Sequence, residues 1–200
     1  MKILFIATLL FSLNFSSFAQ KLDEEKDHKF RQENIFLGGS IGLGLGSGVF
    51  SVGANPEVGY TVAEWLDAGI STNLFYNSIS AEYNGGVRQR SFNYGGGIFT
   101  RIYPLKSIFI QVLPEYNFIK TTLKDISLYG TQEEIKITQQ APSLLLGIGY
   151  TTREIGSSNF YTLLMFDAGN NTDSPYIGYL GSKDPILRAG FNVYLGRKRK

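Results

Sequence analysis

Large apolar side chains recur at every second position through most of the chain beyond residue 34, with glycine, small polar residues and scattered charges between them. A period of two is the signature of β-strands, and it predicts eight of them. The first, near Ile35 to Gly46, sets Ile35, Leu37, Ile41, Leu43 and Leu45 against Phe36, Gly38, Ser40, Gly42 and Gly44. The second, about Ser51 to Val62, alternates Val52, Ala54, Pro56, Val58 and Tyr60 with Gly53, Asn55, Glu57 and Gly59. The others are expected near Leu66 to Tyr76, Phe92 to Ile102, Ile108 to Phe118, Ser143 to Thr151, Asn159 to Gly169 and Leu187 to Leu195. The seventh is the least regular, because Leu163 and Met165 share a parity with Asp167.

No charge falls on the apolar parity of any predicted strand. A charge facing lipid at the bilayer midplane costs roughly 2–4 kcal/mol, so a wall in contact with acyl chains should exclude it. Glu57, Asp67, Arg101, Glu115, Asp167 and Arg188 all fall on the opposite parity. We therefore expect an all-β chain, an eight-stranded antiparallel up-and-down transmembrane β-barrel over residues 35–195, with its apolar face outward. The rival is a soluble, lipocalin-like barrel or sandwich with the apolar face inward. It leaves the many glycines of the second parity unexplained.

Connections and aromatics bear on the same choice. The second, fourth and sixth connections, Ala63 to Trp65, Tyr103 to Ser107 and Thr152 to Ser158, are short. The third, fifth and seventh, near Asn77 to Arg90, Thr121 to Thr138 and Asn170 to Asp184, are expected to be longer outer loops. Short periplasmic turns alternating with long outer loops characterise such barrels, and the count puts both chain ends in the periplasm. Only the first connection, near Ser47 to Phe50, is short on the outer side. Tyr60, Trp65, Tyr150 and Phe160 gather at one end of the strands and Tyr76, Phe92, Tyr116 and Phe118 at the other. Amphipathic rings prefer the two membrane–water boundaries. Pro56, Pro114 and Pro142 lie within strands and cannot donate to a ladder, so bulges are expected there.

The N-terminus changes the picture from barrel to exported barrel. Lys2, the apolar run Ile3 to Phe11 and Ser17-Phe18-Ala19 form a signal peptide over residues 1–19. Residues 20–34 follow as a charged periplasmic leader, and residues 196–200 form a basic tail that could touch anionic headgroups.

Candidate chemistry is sparse. The absence of cysteine excludes disulfides and thiolate metal sites, and 19 Lys+Arg against 17 Asp+Glu gives no reason to expect nucleic acid. The only histidine, His28, sits in the leader, which removes a Ser–His nucleophile from the barrel. Asp173 and Glu133-Glu134 read as solvated loop charges, and Gly42-Leu-Gly-Leu-Gly46 lacks the helix that a phosphate loop opens into. No cofactor, metal or enzymatic activity is expected. The six inward charges should form a network with Asn55, Asn73, Asn93, Gln111 and Asn117, since unpaired charges in a filled lumen are costly. Four acids against two bases leave a surplus, which implies internal water or a shifted carboxylate pKa, the sharper alternative being a cation path or a catalytic pair. Phe36, Phe75, Phe99, Phe109, Tyr161 and Tyr194 share the inward parity and should obstruct a channel.

The last strand carries the pattern polar-x-Gly-x-x-apolar-x-apolar at Arg188, Gly190, Val193 and Leu195. It resembles the C-terminal signal by which the outer-membrane barrel assembly machinery recognises its substrates. Residues 35–195 resemble the eight-stranded outer-membrane barrels of OmpA/OmpX type. They are still more similar to the outer membrane β-barrel domain, including PorT-like proteins, common in Bacteroidetes. That likeness rests on Asn55-Pro-Glu-Val-Gly-Tyr60, Leu66-Asp-Ala-Gly69 and Thr100-Arg-Ile-Tyr103. The resemblance implies a Gram-negative outer-membrane location, with outer-membrane lipids and the assembly machinery as partners. The role is read from the residues instead: outer segments Ser78 to Arg88, Thr121 to Thr138 and Asn170 to Asp184 on a rigid scaffold predict a non-enzymatic structural or interaction protein. A narrow pore for small solutes, or an accessory component of an envelope or secretion complex with a periplasmic or extracellular protein partner, are the alternatives.

Overall fold

The computed structural model describes residues 31–46, 48–125, 134–176, 183 and 185–196. The signal peptide over 1–19, most of the leader, and residues 197–200 of the tail lie outside the described residues. After a 3₁₀ turn at Gln32–Asn34 come eight strands: β1 (Ile35–Gly46), β2 (Val49–Ala63), β3 (Leu66–Ile79), β4 (Val87–Leu105), β5 (Ile108–Asp125), β6 (Glu134–Thr151), β7 (Asn159–Asp167) and β8 (Ile186–Tyr194). Each pairs antiparallel with the next, and β8 returns to β1, so the sheet closes into an up-and-down barrel. Closure removes the sheet edges that a period-two strand set would otherwise expose.

The wall is uneven in height. β4, β5 and β6 span 18 or 19 residues, whereas β7 and β8 span nine each. β6 first meets β7 at Leu145↔Asp167, and β1 leaves β8 at Ile41↔Ala189, so the end opposite Ile35 and Tyr194 rises as a wall of β1 to β6. This corrects two of the expected long loops, the third and the fifth, while the seventh connection stays long over residues 168–185. The third connection shrinks to residues 80–86, and β5 and β6 stay paired out to Lys124↔Glu134. The physical reason is an inversion of parity. Outward positions, apolar in mid-wall, become Arg88, Arg90, Lys120, Lys124 and Lys136 in this distal extension, while Leu123, Ile135 and Ile137 take the other face. Alternation continues, with its sign reversed.

The expected proline bulges are also absent. The register runs unshifted through Gly39↔Pro56, Pro114↔Leu144 and Tyr116↔Pro142. At Pro56 the β2–β3 ladder skips two rungs between Ala54↔Leu74 and Glu57↔Ser71, then resumes in the same register. The β4–β5 ladder does likewise opposite Pro114, between Gly97↔Glu115 and Thr100↔Val112. Pro142 is excused differently. Leu144 directs its N–H to the β7 side, onto Asp167 Oδ1 at 3.1 Å; Pro142, two residues back and of the same parity, faces that side where β7 has ended. Register shifts occur instead at Thr61/Ala63 and Ile102/Leu105, beside short turns.

The core is the barrel interior, where Phe36, Phe99, Phe109, Leu113, Leu145, Tyr161, Leu163 and Met165 are buried together. The period-two glycines make room for its rings. Phe36 lies over its cross-strand partner Gly59 and Phe109 over Gly149; a Cβ there would stand 2.1 and 2.2 Å from the respective ring carbons. Overpacking a core costs typically 1–3 kcal/mol. Gly149→Val is accordingly expected to lower the urea midpoint of the folded barrel, while Gly42→Ala, whose Cβ would meet nothing closer than 4.0 Å, leaves it nearly unchanged. Equal midpoints for the two variants would refute the ring-over-glycine packing.

Candidate functional site

All six charges singled out from the sequence are buried inside the barrel. The closed wall brings them into three layers. In the central layer Arg101, 1% exposed, donates from Nη2 to Glu57 Oε2 at 2.7 Å and from Nε to Gln111 Oε1 at 2.7 Å. Its guanidinium carbon lies 4.6 Å from the ring centroids of Phe99 and Tyr161 and 5.4 Å from that of Phe109. Guanidinium on aromatic faces is a favourable desolvated arrangement. Tyr161 donates its hydroxyl to Glu57 Oε1 at 3.3 Å, and Asn192, with its amide nitrogen turned toward the carboxylate, donates to the same oxygen at 2.8 Å. Every strand except β3 and β6 supplies the ring or polar group of this layer or its aromatic packing: Phe36 from β1, Glu57 from β2, Arg101 from β4, Gln111 from β5, Tyr161 from β7 and Asn192 from β8.

The layer at the Ile35 and Tyr194 end of the barrel is built on Asp67, which accepts from Tyr103 Oη at 2.7 Å and Arg153 Nη2 at 2.8 Å. Arg153 also donates to the Glu64 carbonyl at 2.7 Å, and its guanidinium carbon sits 4.1 Å from the Tyr103 ring centroid. Arg153 belongs to the connection after β6, which folds back over the mouth. The sequence reading missed it because it lies outside every strand parity. The available signal was its place, two residues past Thr151 in a short turn, opposite an inward acid. With Arg153 counted, the four inward acids face three cations rather than two.

The distal layer is a hydrogen-bonded chain. Asn73 donates from Nδ2 to Asn117 Oδ1 (2.6 Å) and Glu115 Oε1 (3.1 Å), and Asn117 donates to Glu115 Oε1 (2.9 Å) and Ser143 Oγ (3.1 Å). Ser143 and Ser174 hydroxyls lie 2.8 Å apart, and Ser174 donates to Asp167 Oδ2 at 2.5 Å. Asp167 Oδ1 caps the end of β7, accepting the Leu144 and Gly169 amides. Tyr176, from the connection after β7, turns inward between Arg188 Nη2 and Asn73 Nδ2, each 3.4 Å from its hydroxyl. Burial first, and the Glu115 carboxylate second, push the Tyr176 phenol above its ordinary pKa. Asn55 accepts from Ser40 at 3.4 Å, and buried Asn93 leaves its Oδ1 without a partner among the described residues.

Among the described residues, rings and ion pairs occupy the interior of the cylinder, and the inward carboxylates are engaged with amides, hydroxyls and guanidinium groups. Among the described residues no cluster of three or more His, Cys, Asp or Glu could hold a metal.

The outer wall is the reverse. Ile41 and Leu187 are 71% exposed, Ile98 63%, Ile70 59% and Ile148 56%. Among the aromatics expected at the boundaries, Phe160 is 73% and Tyr150 58% exposed, Tyr116 46%, Phe92 43% and Trp65 37%, whereas Tyr60, Tyr76 and Phe118 are half-buried. Tyr94, missed earlier as a boundary ring, stacks on Phe118 with centroids 5.4 Å apart. A recess of about 680 Å³ opens on the wall where Gly39, Ala54 and Ala189 lie between Ile41, Phe160 and Phe191. In the last strand Arg188 is buried and Val193 is exposed, as is Leu195 just beyond the strand's end.

No family model matches the chain, and no curated protein matches it. Solved structures do. Neisserial surface protein A aligns at 11% identity over 81% of this chain and 97% of its own, with a TM-score of 0.46. Ail, the attachment invasion locus protein of Yersinia pestis, aligns at 7% identity over 79% and 93%, with a TM-score of 0.47. The N-terminal β-barrel domain of Pseudomonas aeruginosa OprF aligns at 12% identity over 80% and 96%, with a TM-score of 0.39. These are bacterial outer-membrane barrel proteins. The strand pairing of this chain itself defines the fold: eight antiparallel strands, each hydrogen-bonded to its sequence neighbours and closed into a barrel.

Proposed function

We propose that this chain is a non-enzymatic protein of the Gram-negative outer membrane, its barrel embedded in lipid with both termini periplasmic. It would act as a structural or interaction protein presenting the distal ends of β3 to β6. The observation that carries the reading is the inverted distribution of side chains: large aliphatics cover the outer wall while six charged groups lie buried within. A contiguous apolar surface of that extent is an interaction surface, and a bilayer is the partner that surrounds a cylinder on all sides. On this reading outer-membrane lipids contact the wall, and the assembly machinery engages Arg188, Gly190, Val193 and Leu195. The likeness to Bacteroidetes barrels, carried by residues 55–60, 66–69 and 100–103, belongs to the same proposal. The three filled layers support a closed interior over the narrow-pore alternative.

Two measurements test it. The chain should fractionate with membranes, require detergent for release, and migrate differently on gels before and after boiling; release without detergent would refute the proposal. Purified protein in planar bilayers should give no discrete conductance steps. Reproducible steps would return the chain to the pore class.

A further inference from the structure

From the register of β4, β5 and β6 we infer a binding surface for the phosphate-bearing headgroups of anionic lipids on the outward face of the distal extension. The inference rests on the proposed membrane location. Three cross-strand rows define the surface. Phe92, Lys120 and Thr138 form the first; Arg90, Thr122 and Lys136 the second; Arg88, Lys124 and Glu134 the third. Rows of one parity are about 7 Å apart and neighbouring strands about 4.8 Å, so five cations share a patch of about 14 Å by 10 Å. Among the described residues of these rows Glu134 is the sole acid, 4.0 Å from Lys124. Arg90 and Lys136 are exposed and make no ion pair among the described residues.

What favours a membrane lipid as the occupant is continuity. Directly below the first row stand Tyr94, Phe118 and Tyr116 on the same outward face, and below them the apolar wall. Lys120 Nζ lies 5.3 Å from the Tyr94 ring centroid, fixing the lowest cation to the aromatic boundary. A lipid whose chains lie against the wall therefore carries its phosphate to the height of Lys120, Arg90 and Lys136. Cations at that level interact with anionic headgroups over about a Debye length, and paired guanidinium and ammonium groups match phosphate oxygens. No other outward sector combines this charge with a ring belt beneath it among the described residues.

The test uses the full mature chain reconstituted in phosphatidylcholine vesicles, with spin-labelled phosphatidylglycerol or spin-labelled phosphatidylcholine as the probe. Wild-type protein should restrict phosphatidylglycerol several-fold more than phosphatidylcholine. That preference should fall sharply in high salt and in the combined variant Arg88→Gln, Arg90→Gln, Lys120→Gln, Lys136→Gln. Gel mobility before and after boiling reports insertion separately. Inserted wild-type protein without the preference, or an inserted variant that keeps it, overturns the inference and leaves the membrane reading intact. Loss of the preference to inorganic phosphate at matched ionic strength, or binding of polyglutamate in its place, overturns the lipid assignment. Failure of wild-type protein to insert overturns both.

Discussion

Arg101→Leu is expected to destabilise the barrel by about 3–5 kcal/mol, because it leaves the Glu57 carboxylate buried among rings without its cation. The guanidinium is the hub of the central layer, so the substitution also deprives Gln111 of its donor and removes the ion held between the faces of Phe99, Phe109 and Tyr161. Adding Glu57→Gln to the same chain should recover a large part of the loss, since replacing both members of a buried pair is often nearly neutral whereas breaking it is not. Urea titration of the folded barrel, followed by the fluorescence of Trp65 and by gel mobility, reads both effects. Additive losses in the double variant would mean that the two groups are not a functional pair.

The second large effect concerns the outside. Ile98→Arg places a charge in mid-wall, where Ile98 is 63% exposed and pairs with Ile70 on β3. In lipid this costs roughly 2–4 kcal/mol. On a soluble protein an exposed isoleucine replaced by arginine would be close to neutral. Thr138→Arg supplies the contrast: it sits on the outward face of the distal extension, one strand from Lys120, and should change stability little. A lower urea midpoint for the first variant and an unchanged one for the second mark the boundary of the apolar wall. Equal midpoints would place Ile98 in water.

Most of the architecture was readable from residues alone, for a physical reason. Period-two alternation is imposed by the strand itself, so Leu37, Val58, Ile98 and Val193 announced their face without knowledge of their neighbours. Even Leu163 and Met165, which blurred the seventh strand, prove to be lumen core beside Leu145 and Leu113. Strand ends were less legible. Reading strands by apolar residues on one parity stops at Phe92, Phe118 and Ser143, yet the ladder continues through Arg88, Lys124 and Glu134 with its polarity exchanged. The prolines misled because a missing donor matters only where a neighbour waits for it; Pro142 faces a gap, and Pro56 and Pro114 drop local rungs without moving the register. Of the interior network, the strand-borne acids and Arg101 were visible. Arg153, Ser174 and Tyr176 were not, since they come from connections whose direction no periodicity encodes. Which groups would pair was also hidden, because pairing follows strand stagger rather than sequence.

The orientation of the wall is tested most directly by nitroxide labels placed one at a time at Val58, Ile98 and Val193, with Gly97→Cys avoided and Ser71→Cys used as the inward reference. In reconstituted vesicles the three outward labels should be reached by oxygen dissolved in the hydrocarbon and shielded from a water-soluble nickel chelate, with the inward label shielded from both. Outward labels relaxed by the nickel chelate, or immobilised against other protein, would contradict the account.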